Sequence, residues 1–237
     1  MNIRPNPFHQ QIWLRKVKRG DSEYTVRENR DRYFFPDEWK AFYDNLKKDN
    51  HKISKQRVTF NVLLNTGVRI MEGQNIKVSD IDLERGNIVL RVTKKIINRP
   101  GIDKEGKSKV RVITISTQHA KFLKRVIKDY NLKPNDKLPI LTTAGANIAL
   151  KKCLKDVGVP DYEMFSVHNL RKTNENWLLA MGIDLYKILK QLGHTYDVSM
   201  EHYLSTDVFG FDEKDMINNI MGDLPQKMMG TQLRRLR

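Results

Sequence analysis

The chain has 237 residues, with 43 Lys and Arg against 28 Asp and Glu, which gives a formal net charge of +15 at pH 7. This length suits one sizeable domain with tails. A positive surplus this large favours a polyanion as partner, most often nucleic acid, over a merely basic protein. The single cysteine excludes an internal disulfide and a cysteine-rich zinc site. Cys153 falls among apolar residues at helical spacing, which predicts a core thiol rather than a nucleophile.

The sequence also bears on membranes and location. The first 20 residues lack the apolar run of a signal peptide, and no stretch approaches the length of a membrane span. We therefore expect a soluble, cytoplasmic protein with no membrane partner.

Three regions are predicted along the chain. Residues 1–33 are polar and rich in Arg and Lys, which fits either a mostly flexible leader or a basic arm lying on nucleic acid phosphates. Residues 34–222 carry the apolar periodicity of one folded domain. Residues 223–237 end in LRRLR and are predicted to form a basic tail.

The folded region opens with helical patterns. Pro36 suits the first position of a helix whose apolar stripe includes Trp39 and Phe42. A second helix is predicted from Lys55 to Thr66, ended by Gly67, and a third begins near Arg69.

A small antiparallel sheet is predicted next. Arg85-Gly86-Asn87 has turn chemistry, and the following segments 88–92 and 110–116 are rich in β-forming residues. The polar loop between them predicts an extended, basic hairpin tip. Further helices are expected from Gln118 onward, through Cys153, and over a last amphipathic stretch that includes Phe211, Met216, Ile217 and Ile220. The predicted fold class is mainly α with a small antiparallel β-sheet.

The stretch 166–203 carries a distinctive set of polar residues. His168 and Arg171 lie three apart at a predicted helix start, His194 follows Arg171 by 23 residues, and Tyr203 follows His194 by nine. Two apolar helical patterns separate them. The second has Asp184 as N-cap and Gly193 as its stop.

These residues, together with Arg69 and a hairpin lysine, suit transfer of a phosphoryl group without a metal. Two guanidiniums can bind the nonbridging phosphate oxygens and offset the charge that grows in the transition state. A tyrosine can be the nucleophile, a lysine can protonate the leaving hydroxyl, and a histidine can exchange protons. The set offers neither metal-ligand spacing nor a Gly-rich phosphate loop, so no metal and no cofactor are expected.

The pattern HxxR, then LGH, then Tyr nine residues after that histidine resembles the tyrosine recombinases, the phage-integrase family. The segment TGVRIMEGQNIKVSDIDLERGNI is similar to the first arginine box of that family. The resemblance covers about residues 34–203. It implies a mainly helical catalytic domain with a small antiparallel sheet, which agrees with the elements expected above.

The resemblance also implies roles for individual residues. Arg69 and Arg171 match the two phosphate-binding arginines, and His168 matches a proton-transfer residue. His194 matches the position that hydrogen-bonds the scissile phosphate. Tyr203 matches the nucleophile that forms a 3′-phosphotyrosyl link and frees a 5′-hydroxyl. The supporting acidic residue near the first arginine is matched by Glu72.

The hairpin lysine has several candidates. The context VTKK fits Lys94 best and Lys95 next, while Lys107 and Lys109 lie across the long loop. Two positions depart from the family pattern: Lys172 stands where His is frequent, and Gly73 where an apolar residue is common. Neither is one of the main catalytic positions.

The resemblance implies double-stranded DNA as partner, self-assembly as a dimer or tetramer on DNA, and a DNA-associated location. Family members usually carry a helical core-binding domain before the catalytic domain, and residues 1–33 are too few to form one. We therefore expect either a minimal recombinase or the catalytic part of a longer protein. A type IB topoisomerase-like enzyme and a non-catalytic DNA-binding regulator remain alternatives.

Overall fold

The computed structural model describes backbone and side chains for residues 33–91, 110–160, 162–193 and 209–230. For residues 14–19, 22–27, 92 and 109 it describes the backbone alone. The helices are α1 (Pro36–Asn45), α2 (Lys55–Thr66), α3 (Ile70–Gly73), α4 (Thr117–Asp129), α5 (Thr143–Asp156), α6 (His168–Ala180), α7 (Leu185–Leu192), α8 (Phe211–Met221) and α9 (Leu224–Met229). The strands are β1 (Leu14–Arg19), β2 (Ser22–Arg27), β3 (Ile81–Asp82), β4 (Asn87–Val92) and β5 (Lys109–Thr114).

The strands form two antiparallel sheets. Strands β3, β4 and β5 lie side by side in that order, with Ile88 opposite Ile113 in the β4–β5 ladder. Strands β1 and β2 form a separate two-stranded hairpin. The predicted class, mainly helical with a small antiparallel sheet, is therefore confirmed.

Helix α6 runs through the centre of the core. Trp177 is fully buried and donates its indole Nε1–H to the carbonyl of Phe34 at 3.0 Å. Thr173 accepts the backbone N–H of Phe34 at the same distance. The start of the domain is thus bound to α6, where Phe34 also lies against Phe165 with ring centroids 4.8 Å apart.

Local sequence chemistry sets several helix ends as predicted. Helix α1 starts at Pro36, and α2 ends where Gly67 adopts a left-handed conformation with φ of 63°. The Asp184 carboxylate accepts the backbone N–H of Lys187, and α7 ends at Gly193 with φ of 71°.

Cys153 is buried, and burial raises the pKa of its thiol, which fits the core thiol expected from its neighbours.

Other elements differ from expectation. The leader contains the β1–β2 hairpin, and the predicted tail contains α9, whose Leu224, Pro225 and Met228 are buried. Phe211 is exposed, in contrast to its predicted place in the apolar stripe of the last helix. The buried side of α8 is carried by Ile217 and Met221, four residues apart on one helical face. The tip of the β4–β5 hairpin lies outside the described residues.

Candidate active site

Arg69 and Glu72 meet at the start of α3. Arg69 is the N-cap of this short helix, and its backbone N–H donates to Glu72 Oε2 at 2.9 Å. This is the return contact of a capping box, in which an acidic side chain three residues on satisfies the first backbone donor. Arg69 Nη1 also donates to Glu72 Oε1 at 3.3 Å, while 48% of the Arg69 side chain remains exposed. The arginine is thus tethered at its base and open to solvent.

A second arginine, Arg111 of β5, binds the same carboxylate. Its Nη2 lies 2.6 Å from Glu72 Oε2 and its Nη1 lies 3.1 Å from Oε1. Both side chains are largely buried, at 13% and 12% exposure. Such a two-point pairing fixes distance and orientation together, because the guanidinium fork matches the carboxylate in geometry. It joins the sheet to the start of α3.

Arg171 is the buried cation of this region. Its side chain lies on α6 and is 1% exposed. Nη1 donates to the carbonyl of Gly67 at 2.7 Å, and Nη2 donates to the carbonyl of Leu192 at 2.6 Å. These carbonyls belong to the C-terminal ends of α2 and α7, where helix dipoles place partial negative charge. Arg171 therefore connects the chain just before Arg69 with the chain just before His194.

The charges act on one another. Burial lowers the pKa of Arg171, the charges of Arg69 and Arg111 also lower it, and the charges of Glu72 and Glu175 oppose them, so that the pKa is about 9. At that pKa the guanidinium is still charged at pH 7. For Glu72, burial acts to raise the pKa, but the bonds from Arg111 and Arg69 and the charge of Arg171 outweigh it, so the pKa is lowered. Three arginines thus surround one ionised carboxylate.

Glycine makes the close approach of these elements possible. A Cβ at Gly67 would lie 2.4 Å from Leu192 Cδ2 and 2.6 Å from Asn174 Oδ1. A Cβ at Gly193 would lie 2.9 Å from Arg111 Nη1. Both glycines also have positive φ, so any other residue there meets both backbone strain and a clash.

His168 is the first residue of α6 and is exposed. The turn before it is held by side chains of neighbouring residues. Asn169 Oδ1 accepts the Ser166 backbone N–H at 2.7 Å, and Asn147 Oδ1 accepts the Val167 backbone N–H at 3.0 Å. The imidazole is therefore carried by a fixed helix start, while Lys172, next to Arg171, is half-buried.

The structure brings together Arg69, Glu72 and Arg171 from the predicted site. Five other predicted or alternative site residues lie outside the described residues: Lys94, Lys95, Lys107, His194 and Tyr203. Their roles stay predictions. The backbone of Lys109 pairs with Val92 at the open end of the β4–β5 ladder.

Sequence reasoning missed Arg111. In the segment VRVIT, alternation suggests inward valines and an outward arginine, but Val110 and Val112 are exposed. Ile113 and Ile115 are fully buried, and Arg111 shares the face of Ile113, two residues further along the strand. The paired isoleucines were the signal that could have placed Arg111 inward.

The described ranges contain neither a cluster of metal-binding side chains nor a helix that could span a membrane. Within them, no group of three His, Cys, Asp or Glu side chains is arranged to hold a metal ion. No helix among these residues is long and apolar enough to cross a membrane.

Residues 32–208 match the phage integrase family. Tyrosine recombinase XerC of Staphylococcus carnosus (strain TM300) is 29% identical over 174 residues, which cover 68% of this chain and 53% of that protein. XerC of Staphylococcus epidermidis is 28% identical over 200 residues, which cover 80% of this chain and 58% of that protein. The chain spans about half the length of the curated relatives it matches.

Solved structures share the fold. The crystal structure of XerA recombinase aligns with a TM-score of 0.57 and 22% identity, covering 74% of this chain and 61% of that one. The Tn1549 transposon integrase, in complex with transposon right end DNA, aligns with a TM-score of 0.56 and 17% identity, covering 82% of this chain and 66% of that one. The fold is that of tyrosine recombinases and integrases.

Proposed function

Because the chain belongs to the phage integrase family, we propose that it cleaves and rejoins DNA strands at specific sites through a covalent 3′-phosphotyrosyl intermediate, without a metal ion. The observation that carries this proposal is the cluster of three arginines, Arg69, Arg111 and Arg171, which we call the arginine cluster. The Arg69 side chain is about half exposed. Arg171 is buried close enough to Arg69 for the charge of Arg69 to lower the pKa of Arg171. Two carboxylates act on these guanidiniums, Glu72 and, through its charge on Arg171, Glu175, so the three arginines keep a net positive charge for a phosphate.

The cluster suits the charge change of phosphoryl transfer. Attack on a phosphodiester concentrates negative charge on the nonbridging oxygens, and fixed cations in a partly buried site stabilise that charge strongly. Arg69 is the group that a phosphate can reach from solvent. Arg171 is buried and contributes its positive charge to the site without being exposed, and its hydrogen bonds to the Gly67 and Leu192 carbonyls hold it in place. These fixed cations supply the charge that a metal ion would otherwise supply.

The proposed reaction proceeds by in-line displacement. The Tyr203 oxygen forms a bond to phosphorus as the bond from phosphorus to the 5′-oxygen breaks, and the tyrosine proton passes to His168. Lys94 protonates the departing 5′-oxygen. His194 hydrogen-bonds a nonbridging oxygen. In the second half, a 5′-hydroxyl gives its proton to Lys94 as its oxygen bonds to phosphorus. The bond from phosphorus to the Tyr203 oxygen breaks, and His168 returns its proton to the tyrosine, so that a strand is rejoined.

The proposed catalytic domain spans residues 34–222, and its proposed partner is double-stranded DNA, on which copies of the chain assemble as a dimer or tetramer. The XerA and Tn1549 proteins share its fold, and the Tn1549 integrase structure is a complex with transposon DNA. A net charge of +15 supports attraction to phosphates through counterion release. We propose a DNA-associated protein with a role in DNA recombination or integration, including that of a mobile element.

Covalent capture on DNA of random sequence tests this function and finds the DNA site at the same time. The 237-residue chain is incubated, in excess chelator, with a pool of randomised duplexes carrying one nick, and DNA that stays attached under denaturing conditions is recovered. We expect the protein to be joined to a 3′-phosphate, with release of the downstream part of the same strand carrying a free 5′-hydroxyl. An absence of adducts, or adducts that form only with added magnesium, would contradict the proposal.

The recovered sequence then separates recombination from relaxation. Two marked DNA molecules carrying the site are expected to exchange strands. Relaxation of a supercoiled plasmid without exchange would instead identify a type IB topoisomerase-like enzyme. Binding with neither activity would identify a regulator.

A further inference from the structure

Arg111 has an unusual position for a charged residue of a hairpin strand. Its neighbours Val110 and Val112 face solvent, whereas Arg111 points to the buried face and lies against Glu72. Exposing two valines and burying a guanidinium both cost free energy relative to the reverse arrangement. Ile88, which pairs with Ile113, fixes this register. The strand thus holds the arginine inward.

We propose that Arg111 is a positioning residue: by holding Glu72 it keeps the Arg69 guanidinium available to the scissile phosphate, and it supports the turn at Gly193. This inference rests on the proposed function of the site. Arg111 itself need not touch DNA.

The first argument is competition for one carboxylate. Glu72 Oε1 accepts both Arg111 Nη1 at 3.1 Å and Arg69 Nη1 at 3.3 Å, and Oε2 accepts Arg111 Nη2 at 2.6 Å. Arg111 makes the shorter, two-point contact, so most of the carboxylate's charge is used there. Without Arg111, Glu72 would pair with Arg69 alone. That pair would be close to neutral and would withdraw Arg69 from a phosphate.

The second argument is the contact with Gly193. A Cβ built there would lie 2.9 Å from Arg111 Nη1, 3.3 Å from Cδ and 3.4 Å from Cζ. The guanidinium therefore fills the space beside the residue that precedes His194. Gln191 of α7 also accepts the backbone N–H of Thr114 in β5 at 3.3 Å. One arginine thus links the chain next to both predicted phosphate ligands, Arg69 and His194.

The test uses two substitutions and a matched control. Arg111→Met removes the charge and the fork. Arg111→Lys keeps the charge but loses the planar fork that matches both carboxylate oxygens, because an ammonium is a compact point charge. Arg91→Met is the control, since Arg91 is an exposed arginine of the adjacent strand, opposite Val110. Unfolding midpoints show which variants are folded.

The first readout is the rate of adduct formation on the DNA captured by the wild-type chain, at saturating protein. We expect Arg111→Met to slow the rate by about tenfold or more, and Arg111→Lys to slow it less. DNA affinity should fall no further than in Arg91→Met. In an Arg69→Ala background, Arg111→Met should have little additional effect, because the residue it positions is gone. A rate equal to that of Arg91→Met, or a full additional loss in the Arg69→Ala background, would overturn the inference.

The second readout does not depend on DNA cleavage. Phenylglyoxal modifies accessible arginines, and mass spectrometry of the peptide gives the rate at Arg69. We expect slower modification of Arg69 in Arg111→Met than in wild type or Arg91→Met, because Glu72 would then bind Arg69 alone. Unchanged modification would overturn the inference. If the wild-type chain forms no adduct, while Arg69 is modified more slowly in Arg111→Met than in wild type, the proposed function is refuted and the positioning of Arg69 is supported.

Discussion

Arg171 and Gly67 are 104 residues apart in the chain, yet Arg171 Nη1 donates to the Gly67 carbonyl at 2.7 Å in the core. The same guanidinium reaches Leu192 on the other side. A buried cation therefore holds the ends of α2 and α7 together, directly before the chain reaches Arg69 and His194. The Arg171 side chain therefore holds two helices together and also lies in the predicted site.

Removal of Arg171 should cost stability as well as activity. Arg171→Met leaves the Gly67 and Leu192 carbonyls without these donors, so we expect the free energy of unfolding to fall by about 3 kcal/mol in denaturant titrations. Arg125→Met is the control. Arg125 is mostly exposed and lies 3.7 Å from Asp129, so its loss should change stability by less than about 0.5 kcal/mol. Equal effects in the two variants would contradict the anchoring role.

Gly67→Ala should be more damaging than Gly182→Ala. Both glycines have left-handed backbone, with φ of 63° and 78°, so the intrinsic strain of alanine is similar. Only Gly67 has atoms in the way, Leu192 Cδ2 at 2.4 Å and Asn174 Oδ1 at 2.6 Å, whereas a Cβ at Gly182 meets nothing within 4 Å. We expect Gly67→Ala to lower the free energy of unfolding by at least about 1 kcal/mol more than Gly182→Ala. Similar losses would show that α2, α6 and α7 relax at little cost.

His119 should make the protein sensitive to acid. The ring is buried, its Nδ1 lies 2.9 Å from Asn61 Oδ1, and burial lowers its pKa to about 3. Between pH 6.5 and 3 the unfolded chain binds a proton that the folded chain does not. The free energy of unfolding therefore falls as pH falls through this window, by up to about 1.4 kcal/mol per pH unit from this group.

Substitution isolates that contribution. His119→Phe cannot titrate and retains a ring beside Phe122, whose centroid lies 5.9 Å from that of His119. We expect its stability to fall less steeply than that of wild type from about pH 6.5 to 4.5 in denaturant titrations. Exposed His51 provides the comparison, because His51→Gln removes a surface imidazole rather than a buried one. Parallel slopes in wild type and His119→Phe would contradict a buried neutral histidine.

The catalytic lysine of the β4–β5 hairpin can be identified by replacing the leaving 5′-oxygen of the DNA with sulfur. A 5′-oxygen leaves poorly without a proton, whereas a bridging 5′-sulfur leaves without one. Lys94→Ala should therefore be slow on normal DNA and largely rescued on the sulfur-substituted substrate. Lys95→Ala is the control and should be close to wild type on both. Native cleavage by Lys94→Ala, with rescue of a Lys95, Lys107 or Lys109 variant, would reassign the role.

Local features of the fold were predictable because they depend on few neighbours. Asp184 and the glycines at 67 and 193 set helix ends through backbone chemistry that the sequence displays directly. The inward position of Arg111 was not predicted, because it depends on strand register and on a carboxylate 39 residues away. Likewise, nothing in the local pattern shows that Gly67 lies against Leu192. The sequence thus identified candidate site residues but missed the side chain that joins the sheet to α3.

The most direct test of the central claim is to identify the amino acid joined to DNA. Tyr196 and Tyr203 lie in one tryptic peptide, residues 191–214, so fragment ions of the nuclease-trimmed adduct must assign the linkage. We predict phosphotyrosine at Tyr203, no adduct from Tyr203→Phe although DNA still binds, and a normal adduct from Tyr196→Phe. An adduct that persists in Tyr203→Phe, or a linkage at Tyr196 or Tyr186, would contradict the proposed site.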